Sequence, residues 1–186
     1  MTNKNSNKNI FSNKDYNSDD GMITSIWGPP FWYILHIISF NYPINPTNKQ
    51  KKDYYNFFNN LKNILPCKPC RDNLKIHYEK SPLNDNVFKN RTNLSKYVFN
   101  LHEIVNTLLN KKKSNLTYEK VRDLYEQFRS RCIEDPIQLN NSGCIEPIIG
   151  IKSKCTLFIE PYNNNTSLII NPKCIPKKKK YPRKYQ

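Results

Sequence analysis

Between residues 54 and 65 the apolar side chains Tyr54, Phe57, Phe58, Leu61, Ile64 and Leu65 recur at intervals of three and four, the stripe that a half-buried helix presents to its neighbours. Pro66 ends that run, because the residue before a proline is pushed out of the helical region. The same period returns at Leu94, Tyr97, Val98, Leu101, Val105, Leu108 and Leu109. It returns again at Val121, Leu124, Tyr125 and Phe128, where Thr117 can cap the helix and Glu119 suits its first turn. Two more helices complete the pattern. One runs from about Pro30 to Phe40, opened by prolines whose missing donors are harmless in a first turn and closed before Pro43. The other begins at Cys67 and places Cys70, Leu74 and His77 on one face. Five helices with short connections predict an all-α fold, a four-helix bundle plus a short fifth helix.

The ends depart from this pattern. Residues 1–21 are polar and Asn-rich and are expected to be a disordered tail. The helical domain is then 22–132. Past Cys132, "CTLFIEPYNNNTSLIINP" sets two β-rich runs around an Asn-rich turn, so 133–176 is expected to be a small β-rich extension holding a hairpin. Residues 177–186 form a basic tail. The longest apolar run, Phe31 to Phe40, is interrupted by His36 and Ser39 and is half the length a bilayer requires. The first twenty residues lack the apolar segment of a signal peptide, and Asp15, Asp19 and Asp20 argue against a transit peptide. The chain is therefore expected to stay where it is made, with no membrane contact.

Charge adds a question. Thirty Lys and Arg against fifteen Asp and Glu give a net +15, which attracts polyanions. The positive side chains collect at Lys49–Lys52, Lys111–Lys113 and Lys177–Lys184, with no interleaved aromatic platform of the kind that binds single strands. Specific nucleic-acid readout is not expected. Four glycines leave no Gly-rich loop for phosphates.

The six cysteines carry the chemistry. In a chain that stays in the cytosol they should be reduced, metal-bound or catalytic rather than locked in stable disulfides. Cys67-Lys68-Pro69-Cys70 suggests either half a zinc site or a redox pair. Zinc requires a second ligand pair, yet Cys132, Cys144, Cys155 and Cys174 stand 12, 11 and 19 residues apart, with no second C-x-x-C and no histidine nearby. Redox chemistry fits better, because two cysteines three apart at a helix start can close a compact disulfide ring. The helix N-terminus, with Arg71 and Lys68 beside it, favours the thiolate that exchange requires. An all-helical C-x-x-C needs an electron acceptor, and a flavin is the natural one.

Three stretches carry a resemblance: "WGPPFWYILH" (Trp27 to His36), "LPCKPCRDNLKIH" (Leu65 to His77) and "LHEIVNTLLNKK" (Leu101 to Lys112). Their order and spacing resemble the Erv/ALR family of FAD-linked sulfhydryl oxidases over about residues 22 to 131, most closely the branch of large cytoplasmic DNA viruses. The resemblance implies an FAD-dependent thiol oxidase that makes disulfides in protein substrates, with electrons passing through the C-x-x-C pair to FAD and then to O2, giving H2O2. It implies that Cys70 lies against the flavin and that Cys67 exchanges with thiol-containing protein substrates or a thioredoxin-like carrier. Gly28, Trp32, His36, His77, His102, Asn106 and Tyr125 would line the cofactor, with Lys111 near its phosphates. A homodimer acting in the host cytoplasm, at the viral factory or in the virion, is implied as well.

Two positions depart from the family pattern. Glu103 stands where the family has Asn beside the histidine, and a carboxylate there is unfavourable near FAD phosphates unless it points away. Phe99 replaces a cysteine of cellular relatives, which leaves Cys132 without that partner. The tail cysteines are expected to staple the β-rich extension rather than to shuttle electrons. Other classes considered were a zinc-stabilised or basic nucleic-acid adaptor and a non-catalytic disulfide-bonded virion protein.

Overall fold

A computed structural model describes residues 11–111, 116–131 and 146–149. Its elements are α1 (Asn13–Asn17), α2 (Thr24–Asn41), α3 (Asn48–Ile64), α4 (Lys68–Lys80), α5 (Arg91–Leu108), α6 (Tyr118–Glu126) and two short strands, β1 (Ser130–Arg131) and β2 (Glu146–Pro147). The expected all-helical bundle is present, α2 packing on α5 and α6 while α3 packs on α4.

The local chemistry accounts for most boundaries. Thr47 and Gln50 form a capping box at the start of α3, each satisfying a backbone donor that the helix leaves open. Asn90 and Thr117 cap α5 and α6 with one bond each, their side chains accepting from the N3 backbone N–H. The start of α2 is where the sequence misleads. The helix begins at Thr24, so Pro29 and Pro30 lie inside it instead of opening it. Their missing donors leave the carbonyls of Ser25 and Ile26 without helical partners; both residues are exposed, so water can serve.

One core cluster joins Leu35 and Tyr42 to Phe58, Leu61, Leu74, Tyr78, Leu94, Val98 and Leu101. Val87 and Phe88, from the loop between α4 and α5, plug the same core. Its phenols are satisfied: the Tyr42 and Tyr78 hydroxyls donate to the Phe88 and Phe58 carbonyls, each at 2.8 Å, which offsets the cost of burying them. A second cluster of Phe40, Val121 and Tyr125 is flanked by Tyr33, Ile37, Phe99, Tyr118 and Phe128. Not every predicted inner residue is inside. Phe57, Ile64, Leu108 and Leu109 are exposed, the last three at or just past the ends of their helices.

Residues 11–21 belong to the segment expected as a tail, and they hold structure. A capping box at Ser12 starts α1, and Gly21 bridges Cys67. At the other end β1 pairs antiparallel with β2, Ser130 opposite Pro147, and the Ile148 N–H donates to the Arg129 carbonyl at 3.0 Å. The hairpin expected around Asn163–Asn165, the basic tail, and Cys132, Cys144, Cys155 and Cys174 lie outside the described residues.

Leu94 is fully buried. Its replacement by alanine is expected to lower the unfolding free energy by about 2 to 5 kcal/mol, whereas Ile64→Ala should shift it by less than about 0.5 kcal/mol; denaturant titration of both variants checks the contrast.

Candidate active site

Cys67 and Cys70 are joined as a disulfide, with Cα atoms 5.2 Å apart. Pro66 stops α3 and the chain turns through Cys67, which is the N-cap of α4: its sulfur accepts a hydrogen bond from the Cys70 N–H at 3.3 Å. Both sulfurs therefore sit at the end of a helix where unpaired N–H groups gather partial positive charge. Arg71, expected beside the helix N-terminus, lies there: the Leu65 carbonyl that it holds also accepts from the Cys67 N–H at 2.8 Å. Its guanidinium donates to the Leu65 carbonyl at 2.6 Å and is ion-paired with Asp19. Lys68 is likewise paired, with Asp72 at 2.9 Å. The helix terminus favours a thiolate, and the two cations near it are each shared with a carboxylate.

From the disulfide a row of side chains leads along α2. Thr24, Gly28, Trp32, His36 and Phe40 follow one another at intervals of four, a slanting ridge about 24 Å long at helical rise. At its start the Thr24 hydroxyl lies 3.9 Å from the Cys70 sulfur. Gly28 is buried, and a Cβ there would meet only Thr24 Cγ2 at 3.5 Å, an ordinary contact. Nothing in the protein excludes a side chain at that point, although glycine inside a helix costs about 1 kcal/mol relative to alanine. Next, Trp32 stacks flat on His102 of α5, with ring centres 4.2 Å apart and planes 6° from parallel. His36 Nε2 is 3.0 Å from His102 Nδ1, and the His36 ring stacks on Tyr125 of α6 at 5.1 Å. Phe40 stacks on Tyr125 in turn.

The structure thus brings Trp32, His36, His102 and Tyr125 into one contiguous stack. Asn106, one turn beyond His102, donates to Glu103 Oε1 at 3.4 Å, so the unusual carboxylate is held by its own helix. Lys111 is exposed, yet its charge contributes to the lowered pKa of His102. His77 is set apart from the pair, its ring edge-on to Tyr97 at 6.0 Å. Thr24 and Phe40 were missed as members of the row. Phe40 is four residues past His36 and could have been found by spacing, whereas Thr24 was hidden by the misplaced start of α2.

Burial controls the histidines. His36 is 4% exposed; desolvation first, and the neighbouring His102 second, push its pKa down to about 3. Burial and then Lys111 push His102 down to about 4, and burial lowers His77. Near neutrality the His36–His102 pair is therefore uncharged, one ring nitrogen donating and the other accepting. His36 Nδ1 is buried with no hydrogen-bond partner. An unpartnered buried nitrogen is costly, and one lying among flat rings suits a planar, hydrogen-bonding group such as a flavin nucleotide. The residues present fit FAD on that ground.

Comparison with known proteins adds a family to this description. The profile of the Erv1/Alr family matches residues 29–129. A protein of Acanthamoeba polyphaga mimivirus named as a probable FAD-linked sulfhydryl oxidase is 41% identical over 101 residues, covering 54% of this chain and 69% of that one. An FAD-linked sulfhydryl oxidase of African swine fever virus is 32% identical over 108 residues, covering 58% of this chain and 87% of its own length. The FAD-binding domain of yeast Erv1 superposes with a TM-score of 0.51 at 24% identity, over 56% of this chain and 94% of that domain. A longer yeast Erv1 chain, of which 66% is covered, gives the same TM-score at 23% identity. These two structures share the fold.

Both buried histidines bind a proton more readily in the unfolded chain, near 6.5, than in the folded one. Stability is therefore full above that pH and falls as the pH drops, by up to about 1.4 kcal/mol per unit for each ring, levelling below about 3 to 4. A denaturation midpoint that declines from pH 7 to 5, with a shallower decline in His102→Gln, is the expected result.

Proposed function

The chain belongs to the Erv1/Alr family, and we propose from that membership that it is an FAD-linked thiol oxidase whose redox centre is Cys67–Cys70. The observation that carries the reading is the disulfide at the N-terminus of α4, touched by the residue that begins the Trp32–His36–His102 row. The residues that would hold FAD are Gly28, Trp32, His36, His102, Asn106 and Lys111, with His77 and Tyr125 at the margins. Bound there, FAD supplies a two-electron acceptor that dioxygen can reoxidise, yielding peroxide.

The protein's own part is to accept and hold electrons from thiols. A substrate thiolate, or that of a thioredoxin-like carrier, attacks Cys67, and Cys70 leaves as a thiolate in the first turn of α4, where the aligned N–H groups favour negative charge. Its neighbour Thr24 can donate a hydrogen bond to that sulfur. A neutral His36–His102 pair presents hydrogen-bonding nitrogen without adding positive charge, and the burial of His36 excludes water from its end of the row. Trp32 and Tyr125 supply flat apolar surface, the first stacking on His102 and the second on His36.

The natural substrates are proposed to be protein thiols. A homodimer would cover Ile104 and Leu108, exposed apolar residues one turn apart on α5. The sources of the two viral relatives support action in the host cytoplasm, at the viral factory or in the virion. There, dedicated oxidation would counter a reducing medium.

Purified protein is expected to be yellow. Cys70→Ser should retain flavin absorbance while oxygen consumption with a dithiol falls to background. Turnover equal to wild type in that variant would remove Cys70 from the reaction.

A further inference from the structure

Of the two cysteines, the one expected to meet incoming thiols is the less accessible: Cys67 is 8% exposed, whereas Cys70 is half-buried. The cover comes from the chain itself. Gly21 forms an antiparallel bridge with Cys67, and the Met22 N–H donates to the Pro66 carbonyl at 2.7 Å. The Met22 carbonyl accepts from Trp27 Nε1 at 3.0 Å. Asp19 is ion-paired with Arg71, the same guanidinium that holds the Leu65 carbonyl. Gly21 has φ +85°, and a Cβ there would lie 2.1 Å from the Pro66 oxygen. Only glycine allows so close an approach in that conformation.

Resting on the thiol-oxidase reading, we propose that residues 19–22 occupy in cis the docking edge for an extended, carboxylate-bearing segment of the substrate protein, and leave before Cys67 reacts. Recognition through a main-chain edge accepts many sequences, as strand addition does elsewhere, which suits an oxidase of varied protein thiols. Arg71 supplies the selective element, a guanidinium already matched to a carboxylate. The bridge sits at Cys67 itself, so a chain paired there brings its neighbouring side chains to the sulfur. The ties are few and solvent-rimmed, Asp19 being 67% exposed, so the segment can be exchanged for another.

The step it gates is thiol–disulfide exchange. A substrate thiolate bonds to Cys67 Sγ as the Cys67–Cys70 bond breaks and Cys70 departs with the electron pair. The second substrate thiolate then attacks the substrate sulfur of the mixed disulfide, releasing Cys67 as a thiolate. The substrate has lost two electrons to the cysteine pair, and its two thiol protons have gone to solvent.

The test is alkylation of the full-length, reduced protein by iodoacetamide, with each cysteine followed by peptide mapping. Gly21→Val and Asp19→Ala are expected to speed modification of Cys67 about fivefold while Cys70 changes less. Rates unchanged in both variants, or raised equally at both cysteines, would overturn the proposal; if Gly21→Val does not fold, Asp19→Ala decides. In Asp19→Ala, the free peptide NSDDGMIT should restore protection of Cys67, and NSADGMIT should not. Absence of protection by the first, or equal protection by both, rejects the docking edge. Alkylation requires no flavin turnover, so oxygen uptake with a small dithiol reports separately on the oxidase reading.

Discussion

Everything in the bundle depends on α2 having to bury more than one flank. Leu35 joins the core shared with α3, α4 and α5, while Phe40, with Tyr33 and Ile37 behind it, closes the cluster under α6. A helix held from two directions cannot roll or slide, because each cluster fixes the register of the other. The Thr24–Phe40 ridge runs between these contacts and joins them, Trp32 packing against the first cluster and Phe40 within the second, so His36 between them is placed by packing on both sides. The two imidazoles can then be held neutral and partly unpaired, a state that a looser helix would relieve by turning them to water.

Much of this was legible in the chain. Intervals of three and four marked α3, α5 and α6 to within a few residues, because those helices each bury a single stripe and begin at side chains that cap. The C-x-x-C beside Pro66 marked both the turn and the redox chemistry, and the three ordered motifs pointed to the residues that stack. The start of α2 was not legible. Paired prolines look like an opening only if the carbonyls they strand must find protein donors, and at Ser25 and Ile26 solvent is available instead. The partners of Arg71 were not legible either: proximity in sequence to a cysteine says nothing about Asp19 or the Leu65 carbonyl, which hold its guanidinium. Composition also concealed the order of residues 11–21, since a polar segment can be fixed by backbone pairing and one ion pair without any apolar side chain to advertise it.

The hydrogen-bonded phenols explain how so aromatic a bundle stays specific. Tyr42, Tyr78 and Tyr97 each send a hydroxyl to a named carbonyl in another element or loop, and burial pushes their pKa values up, Tyr97 to about 12. They remain donors at any ordinary pH. Each therefore fixes an orientation that apolar contact alone would leave free.

Phe99 sits edge-on to Tyr118 at 6.0 Å. That part of the shell is closed by ring against ring, an attachment indifferent to ambient glutathione. That contact can accordingly persist in a reducing medium while Cys67–Cys70 alternately charges and discharges, so that at this point holding shape and moving electrons do not compete for the same bond.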